Sequence, residues 1–154
     1  MFDPMTLKIR RLHELALMPR YAHPNDSGLD LFSVEDIDIP ARESKLIHTG
    51  IAIELPPGTE AQIRPRSGLA LNHQISILNT PGTVDEGYRG EIKLVLINHG
   101  KRVFKVRKGM KVAQMVIAPV IHVEIEEVQE LTASSRGDDS FGSTGLILPE
   151  EMNQ

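Results

Sequence analysis

The sequence predicts an all-β fold, a sandwich or barrel, on three observations. Apolar residues recur with period two, Gly and Pro collect at junctions between apolar runs, and no long stretch sustains the apolar spacing of an amphipathic helix. The alternation is clear at Ile51, Ile53 and Leu55 and again at Ile92, Leu94 and Leu96. It recurs at Ile121, Val123 and Ile125 against His122, Glu124 and Glu126. Such spacing puts apolar side chains on one face of a strand and leaves the other face to solvent. Pro56-Pro57-Gly58, Pro81-Gly82, Asn98-His99-Gly100-Lys101 and Lys108-Gly109 mark the junctions.

One short helix is expected, from Ser67-Gly68 through Leu69, Ala70, Leu71 and Asn72, with Ser67 available as its cap. Ile75-Ser76-Ile77-Leu78 and the run from Ile92 to Ile97 then read as strands. Thr80 to Gly90 between them is a hairpin tip that carries one carboxylate, Asp85, three residues before one ring, Tyr88. An Asp beside Gly in a hairpin is ordinarily a turn former; a base and a flat ring on such a tip can also grip a small planar ligand. Val95, flanked by Leu94 and Leu96, suits a strand buried on both faces. From Ala133 to Gly145 the composition changes to Ser, Thr, Gly, Asp and Arg, with Phe141 the sole large apolar residue, so this segment builds no core of its own. The expected organisation is a β body over 1–133 and a flexible C-terminal arm over 134–154.

At 154 residues the chain suits one domain with a real core. Val112 to Ile121, the longest apolar stretch, is interrupted by Gln114 and Pro119 and is too short to span a bilayer. Met1 to Arg11 lacks the continuous apolar segment of a signal peptide. A cytoplasmic protein with no membrane partner is therefore expected. The absence of cysteine excludes disulfides, thiolate metal sites and cysteine nucleophiles. A formal charge of −4 argues against nucleic-acid binding, which needs an excess of Lys and Arg on one face.

Five segments pair Gly or Ser with charged or amide side chains: Ser27-Gly28-Leu29-Asp30-Leu31, Pro65-Arg66-Ser67-Gly68-Leu69, the Asp85 hairpin, Gly109 to Met115, and Arg136 to Gly145. Polyphosphate binding would use all of these. Arg66 offers a forked, charge-assisted contact to phosphate oxygens, and Ser67 and Gly68 offer a hydroxyl and open backbone N–H groups. Arg136, with Ser143 and Thr144, repeats this chemistry on a loop able to close over a terminal phosphate. The usual nucleotide, zinc and calcium motifs are absent, and the six histidines are scattered without ligand spacing. Triphosphate oxygens would still recruit Mg²⁺, which prefers phosphate and water ligands. Asp30 and Gln114 are placed to hold metal-bound waters rather than the ion itself.

In order and content the five segments resemble those of the trimeric dUTP pyrophosphatases (dUTPases), and the likeness spans Ser27 to Gly145. The resemblance implies a jelly-roll β fold and a homotrimer with active sites at subunit boundaries. It implies Mg²⁺-dependent hydrolysis of dUTP to dUMP and pyrophosphate, which limits uracil incorporation into DNA and supplies dUMP for thymidylate synthesis. It also gives Asp85 the place of the residue that activates the attacking water, Tyr88 that of the ring packed on deoxyribose, and Asn79 that of a reader of the uracil edge. Arg66, Ser67, Gly68 and Gln114 fall at the phosphates and their metal. Arg136, Phe141, Ser143 and Thr144 fall on the arm, where Phe141 would stack over uracil and the hydroxyls would bind the γ-phosphate. One departure is visible: Ser140 stands where the arm usually has Gly, which puts arm closure in question if that position needs a positive φ. A related dCTP deaminase would share the fold, but the uracil-type hairpin favours simple hydrolysis.

Overall fold

In the computed structural model, which describes residues 5–147, the chain is built almost wholly from short antiparallel strands. In chain order they are β1 (Lys8–Arg11), β2 (Leu29–Phe32), β3 (Ile37–Ile39), β4 (Ser44–Glu54) and β5 (Thr59–Arg64). After the helix α1 (Ser67–His73) come β6 (Ile75–Ile77), β7 (Gly82–Val84), β8 (Glu91–Asn98), β9 (Phe104–Val106) and β10 (Lys111–Pro119). One sheet runs β1-β4-β8-β6, a second runs β2-β10-β5-β7, and β3 pairs with β9. The sheets do not close on themselves, so the expected all-β, jelly-roll-like fold is a sandwich rather than a barrel.

The alternation read from the sequence is what joins the sheets. Ile92, Leu94 and Leu96 on β8 are buried, as are Ile51 and Ile53 on β4, and they share one apolar cluster with Leu31, Ile63 and Met115 of the second sheet. Each such side chain contributes roughly 1.5–3 kcal/mol by leaving water. Val95 is only half-buried, because β8 presents its second face to the surface of this single chain. At the sheet edge, the hydrogen bond and charge of Lys8 hold the Glu54 carboxyl below the usual carboxylate range, with a smaller contribution from Arg89. What this pair adds to stability is present above the ordinary carboxylate pKa and is lost as the pH falls through the depressed one.

Three expectations are corrected. The hairpin is not simple: β6 and β8 do pair, with Ile75 opposite Asn98 and Ile77 opposite Leu96, but the segment between them adds β7 to the edge of the other sheet, with Ile63 opposite Gly82. Ser67 is not the helix cap: Arg66 holds that position in an extended conformation without a side-chain cap bond, and Ser67 is the first helical residue. At Ile121, Val123 and Ile125 no strand forms, and the side chains are 86%, 75% and 95% exposed. Alternation makes a segment two-faced, but a strand also needs an edge to pair with. β10 ends at Pro119, which has no N–H to extend a ladder.

By its contacts the chain divides at Ile121, ahead of the composition change at Ala133, into a compact unit and a second unit, His122–Gln154. The described part of the second unit, 122–147, contains no helix or strand, only irregular chain and turns such as that closed by Ser143 N–H on Ser140 O at 2.8 Å. No described helix is long and apolar enough to cross a membrane.

Asn98 ends β8 and is 1% exposed. Its Nδ2 donates to Ile39 O at 2.9 Å and Arg102 O at 2.7 Å, and its Oδ1 accepts from Gly100 N–H at 2.9 Å. Replacing Asn98 with Ala strands these backbone groups, so urea denaturation should show a loss of about 3 kcal/mol. A loss under about 1 kcal/mol would mean that water satisfies them instead.

Candidate active site

The register of the second sheet places Gln114 opposite both Asp30 on β2 and Arg64 on β5, and Arg66 follows two residues after Arg64. The strands thereby gather Ser27, Asp30, Arg66, Ser67, Gly68 and Gln114 around one cavity of about 350 Å³. This brings together the expected phosphate-binding residues of three separate segments. Gln114 Nε2 donates to Pro65 O at 2.8 Å, which fixes the amide and leaves its Oε1 as an acceptor. The side chain packs on Gly28 so closely that a Cβ there would collide with that oxygen.

Asp30 is buried and lies between two cations. Its Oδ1 is 3.5 Å from Arg66 Nε, and its Oδ2 is 2.8 Å from Lys111 Nζ. Oδ2 makes no directed hydrogen bond despite that short distance, so the Lys111 contact is an ion pair of poor angular geometry. A buried carboxylate of this kind holds its cations in place more than it adds stability. Lys111 pairs with Asp30 without lining the cavity, whereas Arg66, Asp30 and Asp26 do line it. Its oxygen donors, Gln114 Oε1 and the Asp30 carboxylate, are hard ligands that fit Mg²⁺ held through water. No three Asp, Glu or His side chains among the described residues converge to cage a metal.

Asp85 and Tyr88 line a second cavity of about 310 Å³ with Thr83, Glu91 and Lys93. The turn that carries them is braced from below. Glu86 Oε2 accepts from Gly58 N–H at 3.0 Å, and Arg89 Nη1 donates to Glu86 O at 2.8 Å and Tyr88 O at 3.2 Å. Tyr88 N–H closes the turn on Asp85 O at 3.0 Å. The Asp85 carboxylate is exposed and has no hydrogen-bond or ion-pair partner among the described residues. The Tyr88 hydroxyl donates to Glu91 O at 2.9 Å, and its ring lies over Gly90.

The remaining expected residues stand apart. Asn79 lines neither cavity and is exposed on the turn leading into β7. Arg136, Phe141, Ser143 and Thr144 are exposed in the second unit, where Arg136 Nε donates to Asp139 O at 3.1 Å. Ser140 does not adopt a positive φ here; Gly137, Gly142 and Gly145 do. Sequence reasoning passed over Lys111, although it sits three residues before Gln114 in the same segment, where a lone cation inside an apolar strand was the available signal. It also passed over Glu91, whose contacts lie across the sheet.

A β-sandwich with one cavity that sets an arginine beside oxygen acceptors, and a separate cavity holding a free carboxylate beside a ring, has the parts of a nucleotide phosphoanhydride hydrolase. A family model described as dUTPase matches residues 15–145. The deoxyuridine 5'-triphosphate nucleotidohydrolase of Gloeothece citriformis is 68% identical over 142 residues, covering 92% of this chain and 98% of its own. That of Crocosphaera subtropica is 67% identical, covering 92% and 100%. Among solved structures, the dUTPase of Staphylococcus bacteriophage 80alpha with dUpNHpp superposes with a TM-score of 0.86 at 28% identity, covering 92% of this chain and 99% of its own. A dUTPase variant from phage phi11 of S. aureus, described for the coordination of a structural Mg(II) ion, gives 0.77 at 28% identity, covering 83% and 99%. The chain belongs to the dUTPase family.

A Cβ at Gly90 would fall 2.5 Å from the Tyr88 hydroxyl oxygen and 2.7 Å from Cζ. Gly90→Ala should therefore displace the ring while the fold persists. With two tyrosines and no tryptophan in the chain, the near-UV circular dichroism should change clearly. An unchanged spectrum would show that the turn absorbs the methyl without moving Tyr88.

Proposed function

We propose that this dUTP nucleotidohydrolase cleaves dUTP between the α- and β-phosphates, with Asp85 as general base and with each active site assembled from several copies of the chain. The observation that carries the reading is the separation of the two cavities. One holds Arg66, the helix-start residues Ser67 and Gly68, and acceptors that suit a triphosphate and its metal, and the other holds the carboxylate and ring that suit water and sugar. A homotrimer with sites at its subunit boundaries would let one copy's Asp85 meet another's phosphate cradle.

In the reaction, Asp85 accepts a proton from a water as the water oxygen bonds to the α-phosphorus. The bond from that phosphorus to the bridging oxygen breaks, and pyrophosphate leaves. A positioned carboxylate of this kind contributes on the order of 10²- to 10⁴-fold. Arg66, Ser67 and Gly68 hold the phosphates, and Asp30 with Lys111 holds Arg66 in place. Mg²⁺, when bound, neutralises phosphate charge and orients the chain of phosphates. Gln114 Oε1 and Asp30 are the groups that would hold its waters. Asn79 and the backbone of the tip read uracil, Tyr88 leaves no room for a ribose 2'-hydroxyl, and Phe141 stacks on the base. Arg136, Ser143 and Thr144 close over the terminal phosphate. The dUpNHpp bound to the phage 80alpha enzyme supports a uracil deoxynucleoside triphosphate as substrate.

Pyrophosphate release measured across dUTP, UTP and dCTP, with and without Mg²⁺, tests the reading. Rapid release from dUTP alone is expected, and ammonia from dCTP would point to a deaminase instead. Asp85→Asn should keep dUpNHpp binding while lowering kcat by at least about 10²-fold; near-normal turnover would remove Asp85 from its role as base. Deleting 134–154 should abolish efficient hydrolysis while sedimentation still shows a trimer. An unchanged kcat/KM would make the arm dispensable.

A further inference from the structure

The tyrosine assigned to the sugar is held by its hydroxyl, and the holding point is itself anchored far away in sequence. The Tyr88 hydroxyl donates to the backbone oxygen of Glu91 at 2.9 Å, and Gly90 leaves the space its ring fills. Glu91 then reaches across to β4: its Oε2 accepts from Gly50 N–H at 3.1 Å, and both its carboxylate oxygens lie 3.1 Å from His48 Nδ1. A carboxylate only accepts, so Nδ1 carries the proton and donates. The contact point is an irregularity in the sheet. The β4–β8 register shifts between His48 and Ala52, and Gly50 lies there at φ +69° with its N–H turned to Glu91. His48 is secured in turn, its N–H donating to Glu35 Oε1 at 3.1 Å.

We infer that Glu91, fixed by His48 and Gly50, is a positioning residue that sets the Tyr88 ring and so determines how strictly ribonucleotides are rejected. The inference rests on the reading of Tyr88 given above and deepens it. A 2'-hydroxyl adds one oxygen to the face of the sugar, and a ring rejects it only if the ring cannot yield. Tyr88 is 42% exposed, so burial alone does not immobilise it. The bond to Glu91 O does, and that carbonyl is held at the start of β8, where Glu91 pairs with Ala52, and by the Glu91 side chain, which spans the bulge in β4. Glu91 also lines the cavity with Asp85 and Tyr88, so its displacement is felt at the site itself. Freeing the ring costs deoxynucleotide turnover little and admits the ribonucleotide.

The full-length protein and its Glu91→Ala, Glu91→Gln and His48→Ala variants should be assayed by pyrophosphate release with dUTP and UTP, kcat and KM being determined separately, with thermal unfolding followed in parallel. Glu91→Ala should lower the dUTP-to-UTP ratio of kcat/KM about tenfold, the scale of one hydrogen bond, chiefly through better use of UTP. Glu91→Gln keeps an oxygen for the Gly50 N–H and should restore most of the ratio; His48→Ala should fall between. An unchanged ratio in Glu91→Ala, or equal losses on both substrates with a lowered unfolding temperature, would overturn the inference and leave the functional reading standing. A wild-type protein inert toward dUTP would overturn that reading, and this inference with it.

Discussion

Between Ile77 and Glu91 the chain leaves one sheet, lends three residues to the edge of the other, and returns. That excursion is the constraint on which the site depends. Because β7 is hydrogen-bonded to β5 and both β6 and β8 belong to the first sheet, the turn from Asp85 to Gly90 is anchored at each end to a different layer of the sandwich. The apolar cluster fixes the layers relative to each other, so it also fixes the turn. A loop tethered to one sheet alone would share only that sheet's motion; this one reports the packing of both.

The two cavities are built in contrasting ways. The one containing Arg66 rests on a row of paired positions, Asp30, Gln114 and Arg64, whose spacing is set by the ladder itself. The one containing Asp85 rests on a turn, and it gains its definition from side-chain bonds such as Glu86 to Gly58 and Arg89 to Glu86. The cavity around Arg66 thus draws on rigid backbone, while the Asp85 carboxylate is exposed and without a hydrogen-bond or ion-pair partner among the described residues. Catalytic groups on braced loops above a rigid scaffold are a common arrangement.

Much of this was legible in the sequence, and the exceptions have physical causes. Period-two alternation located β8 because it has one face in the core, and it located the end of β4 although Thr49 to Ile53 are buried on both faces; the segments pairing Gly or Ser with charged or amide side chains located the residues that gather around Gln114. The strand expected at Ile121 to Ile125 failed because alternation reports a two-faced segment and says nothing about a neighbouring edge. Ser67 was misplaced as a cap by a single residue, since a helix start depends on backbone angles that residue type constrains only weakly. The tie from Tyr88 through Glu91 to His48 was invisible, because the last two lie 43 positions apart and meet only through a shifted register.

Asp30 shows how an interior ion pair shapes more than geometry. With Arg66 on one oxygen and Lys111 at the other, the carboxylate cancels part of the field these cations would cast into the cavity. A cradle lined by uncompensated cations would bind a cleaved polyanion as tightly as an intact one and would be slow to empty. With Asp26 and Asp30 on the lining beside Arg66, the cavity is no deep electrostatic well, and a polyanion bound there could leave without escaping one.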